Sequence, residues 1–174
     1  MEEKKTVYYL IYDRVIAKRD KDGERDRDYI FREGKWVHDS DHVIMDHLVG
    51  YDPSEPEDSP YRFGSTSILM EMEEISFEQA IPIMNQQILD ALKNKWKEEF
   101  AAQKEEWDKK PGWPAKLVET KFMLNGQKYS IFPSDIGFTD DCWDQGFMET
   151  IQSDIERDLK EYGAMNIYNL GFLD

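Results

Sequence analysis

Runs of β-branched and aromatic residues occupy the first third of the chain. The first is Val7 to Ala17, and a second follows at Tyr29 to Phe31 after the turn signal Asp22-Gly23. Such residues suit a pleated, half-buried backbone, so this stretch predicts a β-hairpin. After Trp36 the period changes. Val43, Ile44, Leu48 and Val49 fall on one helical face, with Ser40 as the cap and Gly50 as the stop, which predicts a short helix. Residues 50–64 hold three prolines and four acids, a composition that disrupts regular pairing and predicts a surface loop. Ile68 to Met72 reads as a strand.

The longest periodic stretch begins at Ser76, where Ser76 and Gln79 have the spacing of a capping box. Ile88, Leu92, Trp96 and Phe100 recur at steps of four, with Ala91 and Trp107 near the same stripe, so a helix is predicted to about Lys110. Pro82 lies six residues past the cap and predicts either a preceding short turn or a kink, because proline lacks the backbone donor. The stripe reads as core, and a homodimer seam through helix 82–110 is the alternative. Pro111-Gly112-Trp113-Pro114 ends the helix.

Two strand-like runs, Leu117 to Leu124 and Gln127 to Phe132, flank Asn125-Gly126. Both central residues of a type I′ turn need positive φ, and this dipeptide supplies it, so a hairpin is predicted. Trp143, Phe147, Ile151, Ile155, Leu159 and Tyr162 then form a second helical stripe, with Asp140 and Asp141 at its start and Gly163 at its end. Met165 to Phe172 reads as a last strand. The expectation is one α+β domain over residues 1–174. It has an N-terminal β-hairpin with helices, one long central helix, and a C-terminal ββαβ unit on a mainly antiparallel sheet. Sub-units 1–75 and 115–174 would be joined by helix 76–110.

Charge changes this picture more than composition does. The net charge is −15, from 37 acids and 22 bases, and it is unevenly placed. Residues 1–40 balance ten acids with ten bases, whereas residues 41–80 hold ten acids and one base, Arg62, and residues 117–174 hold eleven acids and four bases. Such a field repels phosphate backbones and anionic lipid, so direct nucleic-acid or membrane binding is not expected; a basic protein partner would be attracted, and acidity kept simply for solubility is the plainer reading. No apolar run approaches the roughly 20 residues of a membrane span, the amino-terminal residues lack the apolar stretch of a secretory signal, and Cys142 is the one cysteine. A cytoplasmic protein without internal disulfides is expected.

Little catalytic chemistry is legible. His38, His42 and His47 lie among Asp39, Asp41 and Asp46, and His42 with Asp46 at i and i+4 could hold zinc or manganese together with His38. The spacing matches no ligand motif, and solvated histidines are the plainer reading. Asp20, Asp22, Asp26 and Asp28 resemble a calcium loop but have the glycine too early and no glutamate at the twelfth position. Asp140, Asp141 and Asp144 disfavour a thiolate at Cys142. No nucleophile elbow or phosphate-cradling glycine loop occurs, and no cofactor is expected. Three acidic clusters stand out as binding surfaces: Glu55, Glu57 and Asp58; Glu71, Glu73 and Glu74; and Asp140, Asp141 and Asp144. Tyr51, Tyr61 and Phe63 would supply apolar anchors beside the first.

The stretch Leu48-Val-Gly-Tyr-Asp-Pro, through Ser59-Pro-Tyr-Arg-Phe-Gly-Ser-Thr-Ser, to Glu74-Ile-Ser, with the ending Gly163-Ala to Gly171-Phe-Leu-Asp, resembles small proteins carried by mobile elements of Gram-positive bacteria. Acidic members of that group include the anti-CRISPR proteins, inhibitors of CRISPR nucleases. The resemblance implies a non-enzymatic inhibitor, a DNA mimic in its sharpest form, whose partner has a basic nucleic-acid channel. A metal-dependent enzyme using the histidines and an immunity-type or structural dimer are the alternatives.

Overall fold

The computed structural model describes residues 5–48, 72–107, 114–115, 118–138 and 143–169. The fold is α+β, every strand pair is antiparallel among these residues, and the chain divides into two compact units, Met1–Met84 and Asn85–Asp174.

In the first unit, strands β1 (Lys5–Ile11), β2 (Val15–Lys21), β3 (Asp26–Arg32) and β4 (Lys35–His38) form a meander, and β5 (Met72–Ile75) adds beside β1 to give the order β4-β3-β2-β1-β5. The single predicted hairpin is thus a larger sheet, with two further turns. Val7 to Ala17 is interrupted at Tyr12 and Asp13, which take φ of 53° and 57°. Neither residue is glycine, so the pattern carried no turn signal there. Glu33-Gly34, with φ of 50° and 79°, makes the tight turn between β3 and β4. It has the positive-φ backbone that matches strand twist.

Alternation then sorts the side chains. Val7, Tyr9, Ile11, Ala17 and Ile30 gather on one face, and Ile44 of the short helix α1 (Val43–Leu48) packs into that cluster. Asp39 caps α1, because its two carboxylate oxygens accept from the Val43 and Ile44 amides at 3.0 and 2.9 Å. The expected cap, Ser40, has one hydroxyl oxygen where Asp39 offers two acceptors, one for each amide. Val49, the residues of the 50–64 loop and Ile68 to Glu71 lie outside the described residues.

Helix α2 (Phe77–Trp107) starts at the predicted capping box. Gln79 N donates to Ser76 Oγ at 3.1 Å and Ser76 N to Gln79 Oε1 at 2.8 Å. The helix runs on through Pro82 without a preceding separate turn. Its residues to Met84 belong to the first unit and the remainder to the second.

In the second unit, Ile88, Leu92, Trp96 and Phe100 are buried, so the stripe is core. It meets the stripe of α3 (Gln145–Glu161), whose Phe147, Ile151, Ile155 and Leu159 are buried as well, and Phe138 lies 6.3 and 6.0 Å from Phe100 and Phe147. Any homodimer through helix 82–110 must therefore use other faces. Asp144 caps α3 by accepting from Phe147 N at 3.2 Å. Asp140 and Asp141, the expected caps, lie outside the described residues. Trp143, expected in the helical stripe, instead joins a two-residue strand pair, β6 (Pro114–Ala115) with β9 (Trp143–Asp144).

Strands β7 (Thr120–Leu124) and β8 (Gln127–Ile131) form the predicted hairpin, and β10 (Met165–Asn169) pairs with β7 in the order β10-β7-β8. This is the expected ββαβ unit. At the hairpin turn, Asn125 and Gly126 have φ of 48° and 80°, and a Cβ added at Gly126 would meet nothing within 4 Å. Gly126→Ala should therefore destabilise by backbone strain alone, about 1–2 kcal/mol, measurable as a lower urea midpoint with unchanged m-value.

Candidate functional site

The histidines do not converge. His38 ends β4 with its ring edge-on to Tyr29, 6.3 Å between centroids, while His42 is exposed and has a φ of 56°. His47 is buried on α1, where its Nδ1 lies 2.6 Å from the Val43 carbonyl. A carbonyl only accepts, so Nδ1 carries the proton, and Nε2 is buried with no hydrogen-bond partner. Asp39 is committed to capping, and Asp41 reaches Arg32 at 3.9 Å. Asp46 does not join His42 and His38 in a ligand set. Among the described residues, no group of three or more His, Cys, Asp or Glu is placed to hold a metal ion.

Asp20, Asp26 and Asp28, three of the calcium-loop carboxylates, pair with cations. Arg19, buried in the β2–β3 hairpin, donates from Nε and one terminal nitrogen to the two oxygens of Asp28, both at 2.7 Å, with Asp26 at 3.7 Å. This two-pronged bond to Asp28 raises the guanidinium pKa, and burial opposes it. Asp20 accepts from Thr6 at 2.7 Å and Lys18 at 3.1 Å. Burial pushes its pKa up, but these hydrogen bonds outweigh it and the net shift is downward. Lys18 also lies 4.9 and 5.1 Å from the Tyr29 and Trp36 ring centres, an arrangement that holds a cation without a second carboxylate. The hollow of about 310 Å³ around Lys5, Lys18, Asp20, Lys21 and Arg27 is thus of mixed sign.

Of the proposed acidic surfaces, Glu73 and Glu74 are described. Both are exposed on β5, at the edge of the five-stranded sheet, opposite Leu10 and Tyr9 of β1. Asp144, half-buried, caps α3 through one carboxylate oxygen. Tyr51, Glu55, Glu57, Asp58, Tyr61, Phe63, Glu71, Asp140 and Asp141 lie outside the described residues, as does Cys142.

Two polar clusters escaped sequence reasoning. Asp158 on α3 has a side chain only 3% exposed. It accepts from the Trp96 indole at 2.9 Å, from Lys95 at 2.9 Å, and from Arg157 at 3.0 and 3.2 Å. Burial raises its pKa, yet the bonds from Lys95, Trp96 and Arg157 win and hold it below the ordinary carboxylate value. Lys95 and Arg157 are raised in turn, first by their hydrogen bonds to Asp158. The second cluster centres on buried Asn85. It donates to the Leu124 carbonyl and Tyr129 hydroxyl at 3.0 and 3.2 Å and accepts from Asn125 at 2.8 Å.

Strongly shifted groups in a cleft would suggest catalysis. Here Asp158 is saturated with donors and closed off from solvent, so it can act neither as a base nor as a nucleophile. The shifts belong to structural ion pairs.

No protein-family model matches the chain, and comparison with curated proteins and with solved structures finds no match either. Among the described residues, no helix is long and apolar enough to cross a membrane.

Asp158→Ala should lower stability by about 2 kcal/mol at pH 7, because the buried Trp96 N–H is left without an acceptor. The wild-type chain has a depressed folded pKa at this carboxyl, so the charge-dependent part of that advantage is complete above the ordinary value of 3.8 and disappears as pH falls through the lower folded value. Urea unfolding of both proteins between neutral and acid pH measures this, and the two curves should draw closer only in acid.

Proposed function

We propose that this chain is a non-enzymatic binding protein that uses its acidic segments to engage a basic surface on a protein partner. The carrying observation is segregation of charge: residues 41–80 and 117–174 hold the whole acidic excess, while the remaining segments are close to neutral. Solubility alone asks for net charge, not for its concentration in two stretches. The exposure of Glu73 and Glu74 supports the same reading. Asp20, Asp28, Asp39, Asp144 and Asp158, by contrast, make internal contacts.

In its sharper form, the partner is a nucleic-acid-binding enzyme such as a CRISPR nuclease, and the carboxylates occupy a groove built for phosphates. The likeness to mobile-element proteins favours that choice, and electrostatics gives the mechanism. A cationic channel attracts an acidic surface at long range and at low ionic strength, and apolar contacts then set the residence time.

The test is target-DNA cleavage by a guide-loaded CRISPR nuclease with increasing amounts of the protein. Inhibition is expected, weakening steeply as salt is raised, and weakening by tenfold or more on the triple change Glu55→Lys, Glu57→Lys and Asp58→Lys. Undiminished cleavage at large excess would remove the nuclease form. Salt-independent inhibition would remove the electrostatic one.

A further inference from the structure

The three-stranded sheet of the second unit buries one face. Thr120, Phe122 and Leu124 point inward and are at most 3% exposed, so by alternation Lys121 and Met123 point to the other face. Register fills in that outer face. Lys121 lies between Ser130 on β8 and Tyr168 on β10, and Met123 lies between Lys128 on β8 and Met165 on β10. Two methionines and a tyrosine are therefore side by side, beside two lysines, and Lys121, Met123, Lys128 and Tyr168, with Glu119 and Asn166, line a groove of about 590 Å³. Met165 and Tyr168 are 62% and 52% exposed, among the most exposed large apolar residues described.

The sign of this face is opposite to that of the segment carrying it. Glu119 approaches Lys121 at 3.9 Å, but an exposed pair at that distance is worth little, so both lysines keep their charge available. Asn166 takes a φ of 52° and donates its side-chain amide to Met123 Sδ at 3.3 Å. It leaves the methionine pair in place at a break in the β10–β7 register. Thioether side chains adapt their shape to what they meet, a property of surfaces that bind other chains.

Charge then selects the occupant. A second copy meeting the patch with its own patch would bring lysines against lysines, which disfavours self-association here. Three strands at roughly 4.8 Å spacing present a strip about 10 Å wide, the diameter of one α-helix. We propose that this sheet face, uncovered among the described residues, docks an amphipathic α-helix of a protein partner, its apolar stripe on Met123, Met165 and Tyr168 and flanking acidic side chains on Lys121 and Lys128. This contact uses lysines of residues 117–174 rather than their carboxylates, and it stands or falls independently of the acidic attraction proposed above.

The probes are three synthetic helices of about four turns: a leucine-striped helix with glutamate flanks, the same helix with lysine flanks, and the glutamate version with serine replacing leucine. Amide and methionine-methyl NMR spectra of the full chain report binding. The acidic leucine helix should shift Lys121, Met123, Lys128, Met165 and Tyr168, and the other two should bind at least roughly tenfold more weakly. Lys121→Glu with Lys128→Glu, and separately Tyr168→Ala, should each weaken the acidic helix by a similar factor with unchanged circular dichroism. Equal binding of acidic and basic helices, shifts confined to another surface, or no binding at millimolar peptide would overturn the proposal.

Discussion

A fully buried indole needs an acceptor, and in this protein that requirement organises the second unit. Trp96 is 0% exposed, and its N–H meets Asp158 at 2.9 Å. An indole buried without that bond would lose roughly 1–3 kcal/mol. A carboxylate buried without cations would cost more, and Lys95 and Arg157 supply them from the surface side. The contact fixes how α3 is turned against α2. With Asp158 held there, Phe147, Ile151, Ile155 and Leu159 are set into the core, and Asn85, further back on α2, ties the helix to the Leu124 carbonyl of the sheet.

The same logic divides the carboxylates of the chain into two populations. Asp28 neutralises a buried guanidinium, Asp39 and Asp144 complete helix ends, and Asp158 serves the indole. These are consumed by the fold. Glu73 and Glu74 are exposed on an edge strand, in the segment where ten acids face one base. An edge strand bearing charge resists pairing with other sheets.

Much of the architecture was legible because local chemistry and burial agree. Asn125-Gly126 names its own turn, Ser76 and Gln79 satisfy each other's backbone, and Ile88 through Phe100 keep a strict spacing. The misses arose where tertiary contact overrode local preference. Tyr12 is no turn former, yet it holds positive φ, and Asp39 displaced Ser40 because its carboxylate can serve two amides at once. Arg19 and Asp28 are nine residues apart and meet only through strand pairing. The Asp158 site had a readable trace: the residue falls three and seven positions beyond Ile155 and Ile151, on the apolar stripe, where a lone carboxylate calls for buried partners. The three histidines are close in sequence but fall on different elements, His38 at the end of a strand and His47 within a helix.

Hydrogen exchange of the Trp96 indole N–H in the native protein tests the organising contact most directly. If Asp158 holds it as described, that proton exchanges only through global unfolding, as slowly as the best-protected backbone amides. Exchange at the rate of an open, solvent-facing indole would contradict it.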